Sequence, residues 1–139
     1  MSNNPEQTRE LIERYYFSFN AGDMETFFSL MTDDVIHDIN QDGQEVGIPA
    51  FRAFMDKMNR CYKESLEDIE VMVNSKGHRA AAEFVVVGEY LATDEGLPAA
   101  NGQTYQLPAG AFFEIRDGKV ARISNYYNLQ DWLVQVGGA

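Results

Sequence analysis

The segment RYYFSFNAGDMETFFSLMTDDVIHDIN, residues 14–40, constrains the fold more than any other part of the chain. It passes from an aromatic amphipathic helix through a Gly-Asp break to a second short helix, then to a strand carrying His37 and Asp38. Ionisable side chains set among so much apolar surface mark a site. The chain downstream supplies one more long helix and a series of strands, so this order suits a cone-shaped pocket between helices and a curved sheet. A helix tyrosine and a strand carboxylate then face one cavity.

The element boundaries follow from local chemistry. Asn4 suits an N-cap, Pro5 the first helical position and Gln7 the reaching partner of a capping box. Leu11, Ile12, Tyr15, Tyr16 and Phe19 form a stripe at helical period, which Gly22 should end. Asp23 caps a second helix through Phe27, Phe28, Leu30 and Met31, closing at Thr32-Asp33-Asp34, with strand character from Val35. Asp42-Gly43 is a two-residue hairpin signal. Pro49 opens a third helix in which Phe51, Phe54, Met55, Met58, Cys61 and Tyr62 share a face, while Arg52, Asp56, Lys57, Arg60 and Lys63 stay wet. From Ile69 the period becomes two. Lys76-Gly77 then turns the chain into a strand over 80–91, the acidic segment 93–104 reads as a loop, and strands over 105–115 and 120–128 flank an Asp117-Gly118 turn. A closing helix is expected over 129–136.

With 139 residues the chain is expected to form one domain, 1–139, and to bury roughly 68% of its unfolded surface. Nine Phe, seven Tyr and 45% apolar residues suit a packed core. No apolar run approaches the roughly 20 residues that span a bilayer, so no membrane association is expected. The start of the sequence lacks the basic and apolar regions of a secretory signal, and the lone Cys61 has no internal disulfide partner, so a reducing, cytoplasmic setting is expected. A net charge of −11 argues against nucleic acid as a partner. One Cys and two distant histidines, His37 and His78, have no ligand spacing, so no metal is implied. No Gly-rich phosphate loop, nucleotide fingerprint or Ser/His/Asp signature is present, and no cofactor is expected.

Four motifs in order, RYYFSFNAGD, TDD closely followed by HD, GIPAFRAFM and AFFEIRDGKVARISNYYN, resemble the ketosteroid isomerase-like branch of the nuclear transport factor 2 (NTF2-like) superfamily, with its SnoaL-like polyketide-cyclase and limonene epoxide hydrolase relatives. The likeness covers nearly the whole chain. It implies an α+β, cone-shaped barrel in which N-terminal helices pack on a strongly curved antiparallel or mixed sheet around a deep apolar pocket. It also implies a homodimer formed through the outer sheet face.

The resemblance assigns roles residue by residue. Tyr15 falls on the oxyanion tyrosine, because Arg precedes it and Asn-Ala-Gly-Asp follows at the family distance. Asp38 matches the base aspartate, although one residue fewer separates the two elements and Ile39 stands where the isomerases have proline. Side chains alternate along a strand, so His37 and Asp38 cannot both point inward, and either one is a candidate acid or base. Ala111 occupies the place of the family's protonated acid, which counts against steroid isomerisation itself. The epoxide hydrolase set is also broken, with Glu89, Val87 and Asn125 at its three positions.

The expected cavity takes walls from Phe19, Phe54, Met58, Tyr62 and Phe84, and from Phe112, Tyr127 and Trp132 further on. Asn125 and Glu89 are its further polar candidates. A carboxylate within FVVVGEYLA would have its pKa raised by burial, though a bulge at Gly88 would turn Glu89 to solvent, and that is the preferred reading. Residues 93–102, with Gly96 and Gly102, suggest a lid. Two functions remain: a cofactor-independent acid-base enzyme of isomerase or lyase type acting on an apolar, carbonyl-bearing small molecule, and a binding or assembly protein using the same cavity without turnover.

Overall fold

The computed structural model describes residues 4–39 and 43–137. Helix α1 (Pro5–Ala21) starts where Asn4 Oδ1 accepts the backbone N–H groups of Glu6 and Gln7, and ends at Gly22, whose φ of +72° closes the last turn on the Phe19 carbonyl. The capping-box reach of Gln7 is not made. Thr8 is instead buried, its hydroxyl 2.5 Å from the Gly77 carbonyl. Asp23 caps α2 (Met24–Ser29), which is shorter than the sequence suggests. Strand β1 (Met31–Asp38) begins at Met31 rather than Val35, because Thr32-Asp33-Asp34 belongs to the strand and does not cap the helix.

Strand β2 (Gln44–Val46) folds back antiparallel on β1, with Asp38 opposite Gln44; Asp42 of the expected turn lies outside the described residues. Helix α3 (Ile48–Cys61) buries Phe51, Met55 and Cys61. The next strand holds the largest departure from the sequence reading: β3 (Tyr62–Val73) starts at Tyr62, seven residues before Ile69. Its first half, YKESLED, is polar enough to hide a strand that fills only one face. At Asp68 a positive φ of +53° and a register shift between Glu67 and Glu70 break the alternation.

Strands β4 (Arg79–Tyr90), β5 (Thr104–Arg116) and β6 (Lys119–Tyr127) complete one mixed sheet in the order β2-β1-β6-β5-β4-β3. The β1–β6 pair is parallel and the others are antiparallel. The cone is thus an α+β layer of helices over a curled sheet that stays open between edge strands β2 and β3. No bulge occurs at Gly88, which pairs in register with Glu64 on one side and Tyr105 on the other. Helix α4 (Leu129–Gln135) closes one end with the buried Trp132.

Helix α1 is fixed over the concave face by Asn20, whose amide exchanges two 2.9 Å hydrogen bonds with the backbone of Leu66 on β3. The core lies between: Ile12, Phe27, Phe51, Val35, Phe113 and Ile123 are all fully buried. Among the described residues, no helix is long and apolar enough to cross a membrane.

Candidate functional site

A cavity of about 460 Å³ opens between the concave face of the sheet and the helices. Its apolar wall comes from Phe19 on α1, Phe54 and Met58 on α3, Phe84 on β4 and Trp132 on α4. Tyr62, Asn125 and Tyr127 also line it. That size suits a small ring-bearing molecule.

Tyr15 reaches the cavity from α1 with its ring wedged against Phe27 at 4.7 Å and Phe113 at 5.2 Å. Burial pushes its pKa well above the ordinary tyrosine value, so the hydroxyl stays protonated. Among the described residues that hydroxyl has no hydrogen-bond partner. Tyr16 beside it lines the same cavity, and its buried hydroxyl is also unpartnered.

The choice between His37 and Asp38 is made by the phase of β1. Val35 and His37 face inward, and His37 is buried with its ring stacked on Phe51 at 4.1 Å and set edge-on to Phe54 at 4.7 Å. Strand β2 places Glu45 directly opposite, with Oε1 3.4 Å from His37 Nδ1. Burial lowers the histidine pKa, and the hydrogen bond and charge of Glu45 work against that shift. In the neutral ring the carboxylate favours a proton on Nδ1, which leaves Nε2 as the basic nitrogen.

Asp38 points the other way. Its Oδ2 accepts from Arg122 Nε at 2.7 Å and Nη2 at 2.5 Å, and its Oδ1 accepts from Gln44 Nε2 at 2.7 Å. Those partners hold its carboxyl below the usual aspartate range, the Gln44 bond first and Arg122 next. Arg122 also holds Glu114 at 2.8 Å, so this network ties β2, β1, β6 and β5 together. Asp38 does not line the cavity, which corrects its expected place there.

Two further placements follow from the same alternation. Phe112 is 48% exposed and packs edge-on to Tyr126, while Phe113 takes the inward position. Glu89, between inward-facing Gly88 and Tyr90, stands on the outer face opposite Lys63 and Thr104. Ala111, where the resemblance would put a second acid, is fully buried and paired with Asn125.

The cavity's own carboxylates escaped the sequence reading. Glu64, on β3, lines it and accepts a very short hydrogen bond from the Tyr105 hydroxyl. Burial raises its pKa, and the tyrosine bond opposes that shift only in part. Asp94 accepts from the Tyr62 hydroxyl at 2.8 Å and pairs with Lys57 at 2.9 Å. The period-two signal Tyr62, Glu64, Leu66 was available for Glu64, but the helix-like spacing up to Tyr62 masked it. No sequence signal marks Asp94. Its loop, residues 91–103, is tied down as well, because the Tyr90 hydroxyl donates to the Pro98 carbonyl at 2.6 Å and accepts from the Asp94 N–H at 2.9 Å. Through Asp94, Glu95 and Leu97 the loop forms fixed wall. Among the described residues no group of three His, Cys, Asp or Glu side chains is placed to hold a metal ion.

Comparison with known proteins supports this fold and extends it. The model of the SnoaL-like domain matches residues 12–123. A solved structure described as a candidate polyketide cyclase from Pseudomonas putida KT2440 is 63% identical, with 94% of this chain and 98% of that chain covered and a TM-score of 0.92. Another of the same description, from Xanthomonas campestris pv. campestris, is 50% identical over 97% of this chain and 100% of that chain, with a TM-score of 0.93. An NTF2-like protein from Burkholderia xenovorans LB400 shares the fold at 15% identity, with 96% of this chain and 98% of that chain covered and a TM-score of 0.75. No curated protein matches the sequence.

Proposed function

Because the chain belongs to the SnoaL-like domain family, we propose that it is a small-molecule enzyme that moves protons next to a carbonyl group, without a cofactor, in an apolar cavity. The observation that carries this reading is that His37 and Tyr15 line one cavity, the first backed by Glu45 and the second with its hydroxyl unpartnered among the described residues. Nε2 of His37 takes a proton from the carbon beside the carbonyl, and the bonding pair moves onto the carbonyl oxygen. The Tyr15 hydroxyl donates a hydrogen bond to that developing enolate oxygen. Glu45 offsets the positive charge that forms on the imidazole. The enolate then either recovers the proton from His37 at another carbon, an isomerisation, or attacks a second carbonyl of the same molecule, closing a ring as the new alkoxide oxygen takes the proton back from His37. Relatives described as candidate polyketide cyclases support the second course and a polyketide ligand.

One observation favours plain binding instead. A methyl group at Ala111 supplies no second donor for the oxyanion, which lowers the attainable rate. The two readings separate in deuterium oxide, where exchange of the α-hydrogens of a panel of cyclic enones and polyketide lactones is followed by NMR. The enzyme reading expects exchange that falls by about 10²-fold or more in His37→Gln and by roughly 10²-fold in Tyr15→Phe. Retained ligand with equal exchange in wild type and both variants would establish a binding protein.

A further inference from the structure

A second polar pole lies on the far flank of the same cavity, at Glu64 on β3, four strands along the sheet order from His37 on β1. Glu64, Gly88 and Tyr105 occupy one rung across β3, β4 and β5. Gly88 has no side chain, and a Cβ there would overlap the Tyr105 ring and hydroxyl. The vacancy lets Tyr105 lean across the middle strand and bond Glu64 Oε2 from behind. Tyr105 is buried, while Glu64 reaches the cavity. Among the described residues the carboxyl's other oxygen has no hydrogen-bond partner, so a polar capacity is held in place and left open toward the ligand space.

We propose that Glu64, positioned by Tyr105, binds a hydroxyl group on the ligand and thereby selects hydroxylated ring systems over their plain hydrocarbon counterparts. A hydroxyl suits this position better than a ketone because it both donates and accepts, and so satisfies the carboxyl in either protonation state. Burial, which favours the neutral acid, makes that indifference useful. Tyr127 lines the cavity within electrostatic reach of Glu64, and its own pKa is raised by burial and by that carboxylate, so it stays a neutral neighbour. This inference rests on the small-molecule reading of the cavity and adds the group that the ligand must carry.

The test is an NMR-monitored titration with naphthalene and with 2-naphthol, which differ by one hydroxyl. Wild type is expected to bind 2-naphthol at least about tenfold more tightly, the worth of one hydrogen bond to a carboxyl group. Glu64→Leu combined with Tyr105→Phe removes both partners of the bond together and should bind the two compounds alike. Glu64→Gln should keep part of the preference, Tyr105→Phe should weaken it, and Tyr15→Phe should leave it intact. A preference that survives in the double variant, that disappears in Tyr15→Phe, or that is absent from wild type overturns the assignment to Glu64. Naphthalene bound without discrimination defeats only this inference and leaves the exchange experiment at His37 untouched. If neither compound binds wild type, the small-molecule reading fails and this one with it.

Discussion

At His37, burial against Phe51 and Phe54 disfavours the imidazolium, while Glu45 draws the pKa back toward its ordinary value of 6.5. Burial is the larger influence, so the ring is neutral at neutral pH. A base works in its unprotonated form, so the exchange rate should rise with pH, with the midpoint of the rise below pH 6.5. Glu45 raises the pKa, so Glu45→Gln should move that midpoint lower, and further than Asp38→Asn does, because Asp38 acts only through a weaker charge interaction. A midpoint at or above 6.5, or an upward move in Glu45→Gln, removes His37 as the base. Sequence could not choose between His37 and Asp38, since Val35, His37 and Ile39 form one alternating set and Ile36 and Asp38 the other, with aliphatic residues in both. Alternation gives parity; the packing of Val35 and Phe51 supplies the phase. Phe112 and Phe113 pose the same problem, as two adjacent aromatic residues fit either phase.

Among the elements, the β3–β4–β5 rung is the least legible and the most demanding. Gly88 reads in sequence as a candidate bulge, whereas its role is to clear space for a ring that comes from the next strand. No local pattern announces that, because the requirement is set by Tyr105, which arrives only after the 91–103 loop has turned the chain. Helix α1 is the opposite case: its cap at Asn4, its stripe and its stop at Gly22 are all local, and all stand where the residues place them. Gly88→Ala is therefore expected to destabilise by about 1–3 kcal/mol through overpacking and to release Tyr105 from Glu64. Denaturant melts of Gly88→Ala alone and combined with Tyr105→Ala would check the cause. If the glycine substitution costs as much in the Tyr105→Ala background as in wild type, the ring is not what it displaces.

Across the molecule, the sheet order depends on the parallel contact of β1 with β6, two elements far apart in the chain, which periodicity cannot reveal and the resemblance could. That contact helps make the cavity a built void within a packed body, and the distinction can be tested by filling it. Ala109 lines the cavity, while Ala111, two residues along the same strand, is 1% exposed and set between Ala82 and Asn125. Ala109→Leu adds three carbons to open space, so it should leave the melting temperature unchanged or raise it, by up to about 2 kcal/mol of added apolar burial. Ala111→Leu forces the same carbons into occupied volume and should destabilise by about 1–3 kcal/mol. A ligand at a hundred times its Kd stabilises wild type by about 2.7 kcal/mol, and that gain should vanish in Ala109→Leu because the side chain occupies the ligand's place. Thermal melts with and without 2-naphthol measure both effects. Equal destabilisation by the two substitutions would mean the space is ordinary packing, and a protein without a void has nowhere to run the chemistry proposed for His37 and Tyr15.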